Sequence, residues 1–141
     1  MKFTTDDLRL QNALALLCSH APLYSDVSEV SVTRLPGDGN GISWMRQGGD
    51  LTLRADSVSD CLFLLGRALT LPEKTEESLM PRFSRLAAMI DLSRNSVYTM
   101  KTMKRFLCQL ALMGFNTAYI LCKDGQNKGQ KWYGPNRSRR Y

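Results

Sequence analysis

Chemistry in this chain would be sought first just past two short apolar runs. Asp91 follows residues 87–90 (AAMI), and Lys123-Asp124 follows residues 117–122 (TAYILC). Ser93-Arg94-Asn95 lies between them, and Arg137 stands in a basic tail that also holds Trp132, Tyr133 and Gly134. If the two apolar runs are parallel strands, Asp91 and Asp124 both sit at their carboxyl ends, where active sites of barrel folds collect. Helix capping by Asp91 is the plainer alternative. Other chemistry finds little support. The segment PGDGNG (residues 36–41) lacks the Lys and Ser or Thr of a phosphate loop and the spacing of a dinucleotide fingerprint. Cys18, Cys61, Cys108 and Cys122 match no zinc or redox spacing and read as buried thiols. Neither a metal nor a cofactor is expected.

The elements that must position these residues are legible between residues 87 and 121. A short apolar run, a polar turn, an amphipathic pattern ending at Gly114 and a second apolar run predict strand, helix and strand. Met100, Met103, Leu107 and Leu110 supply the packing stripe of the crossover helix. The same stretch can be read as a helix-turn-helix, with Ser93-Arg94-Asn95 reading bases and Lys101, Lys104 and Arg105 meeting phosphates.

Upstream, residues 5–20 predict a helix capped by Thr4 or Thr5, with two acids in its first turn and a stripe of Leu8, Leu10, Leu14 and Leu17. Residues 27–34 alternate as a strand with Val30 and Val32 on one face. Residues 42–47 and 51–55 form a hairpin around Gly48, Gly49 and Asp50. A second helix starts at Ser57 or Ser59, with Val58, Cys61, Leu62, Leu65 and Leu69 turned to the sheet. Residues 72–78 (PEKTEES) read as a linker or surface loop.

Composition bounds the class. The chain has 141 residues, 43% hydrophobic and 23% charged, enough for an ordinary globular fold and without a run long enough to cross a membrane. No signal peptide is evident, so the default location is cytoplasmic. The net charge of +6 is uneven: residues 1–80 hold 7 Lys or Arg against 11 Asp or Glu, and residues 81–141 hold 12 against 2. The basic half suits nucleic acid or an acidic partner.

MIDLSRNSV and KTMKRFLCQLALMGFNTAYI together resemble the first strand, first helix and second strand of the catalytic barrel of glycoside hydrolase family 20, the β-N-acetylhexosaminidases. ISWMRQGGDLTLRADSVSDCLFLLGRAL is similar to the hairpin and helix of the small domain before that barrel. The resemblance implies an α+β domain over residues 1–78, followed over residues 79–141 by the first βαβ of a truncated (β/α)8 barrel. It implies substrate contacts near Asp91, Arg94, Asp124 and Arg137, and N-acetylhexosamine glycans as the substrates of the full-length enzyme. Departures matter. Cys122 and Lys123 replace the family's Thr and Glu, and Leu86 stands where many members carry a substrate-binding Arg, with Arg85 one residue off. The family's catalytic Asp-Glu pair lies on a later strand, and no Asp-Glu dipeptide occurs in this chain. The expectation is an inactive N-terminal portion of a bacterial hexosaminidase-like glycosidase that self-associates through exposed barrel edges. A DNA-binding protein and a non-catalytic interaction module are the alternatives.

Overall fold

The computed structural model describes residues 2–20, 29–92 and 98–121. Two sheets organise it. The first has five strands in the order β1-β2-β4-β3-β5: β1 (Lys2–Thr4), β2 (Glu29–Leu35), β3 (Ile42–Gln47), β4 (Asp50–Arg54) and β5 (Glu76–Leu79). β1, β2 and β4 run parallel to one another, and β3 runs antiparallel to both β4 and β5. The helices α1 (Leu8–His20) and α2 (Val58–Thr70) share one core with this sheet. The strands alternate as half-buried strands should. Val32, Ile42, Trp44, Leu51 and Leu53 face inward to meet Leu10, Leu14 and Leu17 of α1 and Cys61, Leu64, Leu65 and Ala68 of α2.

Several elements differ from the sequence reading. α1 begins at Leu8, and its cap is Asp7, whose carboxylate accepts from the N–H groups of Arg9 (2.9 Å) and Leu10 (3.1 Å). Leu8 consequently falls on the exposed side, and the stripe is Leu10, Leu14 and Leu17. The Leu10 amide, and after it Arg34, holds the Asp7 carboxyl below its usual range. The hairpin is as expected but tighter, with Gln47 opposite Asp50 and only Gly48 and Gly49 in the turn. Ser57 caps α2 by accepting from the Asp60 N–H at 3.0 Å. Of the thiols, Cys61 is buried and pushed up to about 11 by that burial, whereas Cys18 is exposed, contrary to expectation. Cys122 lies outside the described residues.

The polar stretch read as a linker instead supplies β5, which pairs with β3 from Ile42↔Leu79 to Met45↔Glu76. Glu77 explains the discrepancy. It is an acidic residue pointed at the protein, where its two oxygens take Arg67 Nε (3.0 Å) and Nη2 (2.6 Å), Trp44 Nε1 (3.2 Å) and Lys74 Nζ (3.3 Å). A residue usually spent on solvent therefore holds an edge strand against α2, which no hydrophobic period announces.

The second sheet has two strands, β6 (Ala87–Asp91) and β7 (Thr117–Leu121), paired in parallel and joined by α3 (Met100–Leu112). This is the expected βαβ unit. Residues 87–91 form a strand, so the first helix of a helix-turn-helix is not formed; Ser93, Arg94 and Asn95 lie outside the described residues. Gly114 ends α3 with φ +94°, and the Phe115 and Gly114 N–H groups return to Leu110 and Ala111 carbonyls. Ile90, Met103 and Leu110 form a second core with Ala88, Phe106 and Leu107 around them. Met100, expected in the packing stripe, is exposed. A 13-residue helix is about 20 Å long and a five-residue strand about 17 Å, so α3 is longer than the strands it covers.

α3 touches both cores, since Cys108 and Leu112 on its other side pack against the first. The approach to α2 is close. A Cβ placed on Gly66 would lie 2.1 Å from the Leu112 carbonyl oxygen. Helix propensity alone favours Gly66→Ala by about 1 kcal/mol, but the clash reverses the sign, and the variant is expected to lose about 1–3 kcal/mol in urea unfolding. The Glu77 carboxyl is held down at about 2, against 4.5 unperturbed, first by the Arg67 hydrogen bond. Its contribution is therefore complete above the unfolded value and is lost as pH falls through about 2. Urea midpoints of wild type and Glu77→Gln should differ most at neutral pH and converge toward pH 2.

Candidate functional site

The edge of the second sheet where Asp91 stands is built by three elements. β6 ends at Asp91, opposite Leu121 at the end of β7, and the ladder closes with the Leu92 N–H on the Leu121 carbonyl at 2.6 Å. The chain leaves β6 here and starts α3 at Met100, so the amino end of α3 lies at this same edge. Thr99 caps it by accepting from the Thr102 N–H at 3.2 Å. Tyr98 stacks on Phe106 with ring centroids 5.9 Å apart and planes at 24°, which holds the last residue before the cap against the helix.

Asp91 is half-buried. It is the only carboxylate in the described part of the chain beyond residue 80. The described part of this edge carries one carboxylate and the amino, positive end of a helix. Among the described residues it does not hold the paired carboxyl groups that glycosidic cleavage ordinarily uses. Of the four residues expected to contact substrate, only Asp91 is described. Arg94, Asp124 and Arg137 lie outside the described residues. Arg85, one position from the family's substrate-binding Arg, lines a cleft at the opposite, amino end of β6 and β7. Among the described residues no group of three or more His, Cys, Asp or Glu could hold a metal, and no helix is long and apolar enough to cross a membrane.

No family model matches the sequence, and no curated protein matches it. Solved structures do. A family 20 β-N-acetylhexosaminidase from Streptomyces coelicolor A3(2) superposes with TM-score 0.54 at 17% identity, covering 85% of this chain and 30% of that one. A mutant β-hexosaminidase of Streptomyces plicatus, in complex with its product GlcNAc, gives TM-score 0.57 at 17% identity over 84% of this chain and 29% of that one. The chain has the fold of part of a family 20 hexosaminidase. This bears out the resemblance carried by MIDLSRNSV and its flanks, at the level of fold. The chain spans less than a third of those enzymes' length, consistent with an N-terminal portion.

One positioning residue had no sequence signal beyond standing in a turn. Asn116 accepts from the Leu86 N–H (3.0 Å) through its side-chain oxygen and donates to the Ser84 carbonyl (3.0 Å) through its amide nitrogen. Its own N–H, and that of Thr117, reach the Leu86 carbonyl. It thereby sets where β6 and β7 begin, and so which residues reach the far edge with Asp91. Asn116→Ala is expected to cost about 1–3 kcal/mol in chemical unfolding, whereas Asn116→Asp, which keeps the acceptor for Leu86, should lose less.

Proposed function

We propose that this chain is the opening portion of a β-N-acetylhexosaminidase-like glycoside hydrolase. In this reading residues 1–78 are the small α+β domain and residues 79–141 begin a (β/α)8 catalytic barrel. The observation that supports it most is the parallel β6-α3-β7 unit with one face left bare. Ile90 and Ala88 turn toward α3, while Met89 and its register partner Tyr119 are 78% and 53% exposed on the other face. A parallel sheet is ordinarily covered on both faces, and further barrel strands would enclose Met89 and Tyr119 with Asp91 at the rim. Asp91, Arg94, Asp124 and Arg137 are the residues assigned to the sugar side of that rim. The chemistry would be removal of terminal N-acetylhexosamine with the substrate's acetamido group as nucleophile, assisted by an Asp-Glu pair. That pair is missing from these 141 residues, so hydrolysis belongs to a longer polypeptide.

Two measurements test this. The purified 141-residue polypeptide should give no release of chromophore from a chromogenic N-acetylglucosaminide above the buffer rate; clear turnover would overturn the assignment of catalysis to residues beyond it. An open frame after the codon for Tyr141 that encodes an Asp-Glu pair would support the longer enzyme, and a stop codon there would count against it. The bare face makes a physical prediction as well. The polypeptide should self-associate in light scattering, and the double substitution Met89→Ser with Tyr119→Ser should return it toward a monomer. A monomeric wild type would contradict it.

A further inference from the structure

At the end of the second sheet opposite Asp91, residues 80–86 cross from β5 to β6 as an irregular stretch that bends at Arg82 and Ser84. This stretch, α2 and the turn after α3 line a cavity of about 240 Å³. Its walls are mostly apolar. Phe63 of α2 lies against Gly114, where a Cβ would stand 3.1 Å from the ring. Ile42, Leu79 and Met113 extend the lining, and Met80 and Phe83, both largely exposed, stand at the rim.

Three residues with polar side chains also line this cavity: Asp60, Arg82 and Asn116. Asn116 is engaged at both ends of its amide, by the Leu86 N–H and the Ser84 carbonyl. Asp60, in the first turn of α2, holds the Ser57 hydroxyl on Oδ2 at 2.6 Å, and its Oδ1 has no partner among the described residues. Arg82 makes neither an ion pair nor a side-chain hydrogen bond among the described residues. One acid and one base therefore line the same apolar cavity without pairing with each other. A purely anionic or purely cationic ligand would answer one of these charges and cover the other unpaired, which is costly beside apolar surface. A ligand carrying both charges answers both. We infer that this cavity is a binding site for a free apolar α-amino acid of leucine to phenylalanine size. Its side chain fills the space beside Phe63 and Met113, its carboxylate meets Arg82, and its ammonium meets the open oxygen of Asp60. The size agrees, since about 240 Å³ falls below the roughly 300–1,000 Å³ of sites for drug-sized ligands. The inference does not rest on the hexosaminidase reading, because it uses the end of the strands remote from Asp91.

The test is isothermal titration of the 141-residue protein with L-phenylalanine, 3-phenylpropanoate, phenethylamine and L-serine. Phenylalanine should bind saturably, and each of the other three at least about tenfold more weakly, because each leaves a charge or the apolar wall without a partner. Arg82→Gln should weaken phenylalanine about tenfold and leave phenethylamine unchanged. Asp60→Asn, which keeps an acceptor for the Ser57 hydroxyl, should weaken phenylalanine by a similar factor and leave 3-phenylpropanoate unchanged. Thermal melts check that both variants fold, and the ligand series on the unaltered protein is decisive without them. The inference is overturned if phenylalanine does not bind, if 3-phenylpropanoate or phenethylamine binds as tightly as phenylalanine, or if serine does.

Discussion

The contact on which the arrangement depends is the close passage of the last turn of α3 over Gly66 in α2. A Leu112 carbonyl oxygen fits there only because position 66 has no side chain. Through that contact α3 belongs to two cores at once. Its Met103 and Leu110 bury Ile90 of the parallel pair, while Cys108 and Leu112 join the core beneath the five-stranded sheet. If the helices stood apart by one methyl group, the βαβ unit would lose its seat on α2 and the core of the five-stranded sheet. Interiors packed at crystal density pass such a displacement on.

A second constraint works through charge. Glu77 reaches inward from an edge strand and gathers a forked Arg67, the indole N–H of Trp44 and Lys74. A carboxylate so nearly enclosed is tolerated because its hydrogen-bonding capacity is filled, and removing one partner strands the others. The same logic governs Arg34, which bonds Asp7 at 2.6 Å and the carbonyls of Ala55 and Asp56, tying the start of α1 to the start of α2. Polar clamps at the ends of the helices and an aliphatic centre between them hold this half of the molecule.

The two ends of β6 have different characters. At its carboxyl end stand Asp91 and the Thr99-capped start of α3, the position where parallel α/β folds assemble catalytic groups. At its amino end, Asn116 binds the incoming strand, and Met80, Arg82 and Phe83 line a largely apolar cavity. The fold shared with the Streptomyces hexosaminidases bears on the first end by supplying the scaffold. The second end is a property of this chain's own side chains.

What the sequence determined by itself was the set of local elements with a clear period. The alternation of Ile42-Trp44 and Leu51-Leu53, the cap at Ser57, the stop at Gly114 and the strand-helix-strand of residues 87–121 were all legible, because each rests on contacts within a few residues or on a face repeated at 2 or 3.6. The resemblance to family 20 was carried by the motif at residues 89–97 and not by any period. Tertiary structure alone decided the rest. β5 looked like a linker because its inward residue is a glutamate whose partners lie ten and thirty-three positions away. β1 is three residues long and is held by pairing with β2 and by Phe3 against the core. Leu8 and Met100 have the right spacing but lie beyond the surfaces their helices cover. Of the four residues proposed for a sugar side, the structure describes only Asp91, at the end of β6. Asn116, which sets where β6 and β7 begin, and Gly66, which admits the last turn of α3, act through partners far along the chain, and a residue type that is ordinary in a turn or a helix carries no local mark of such a partner.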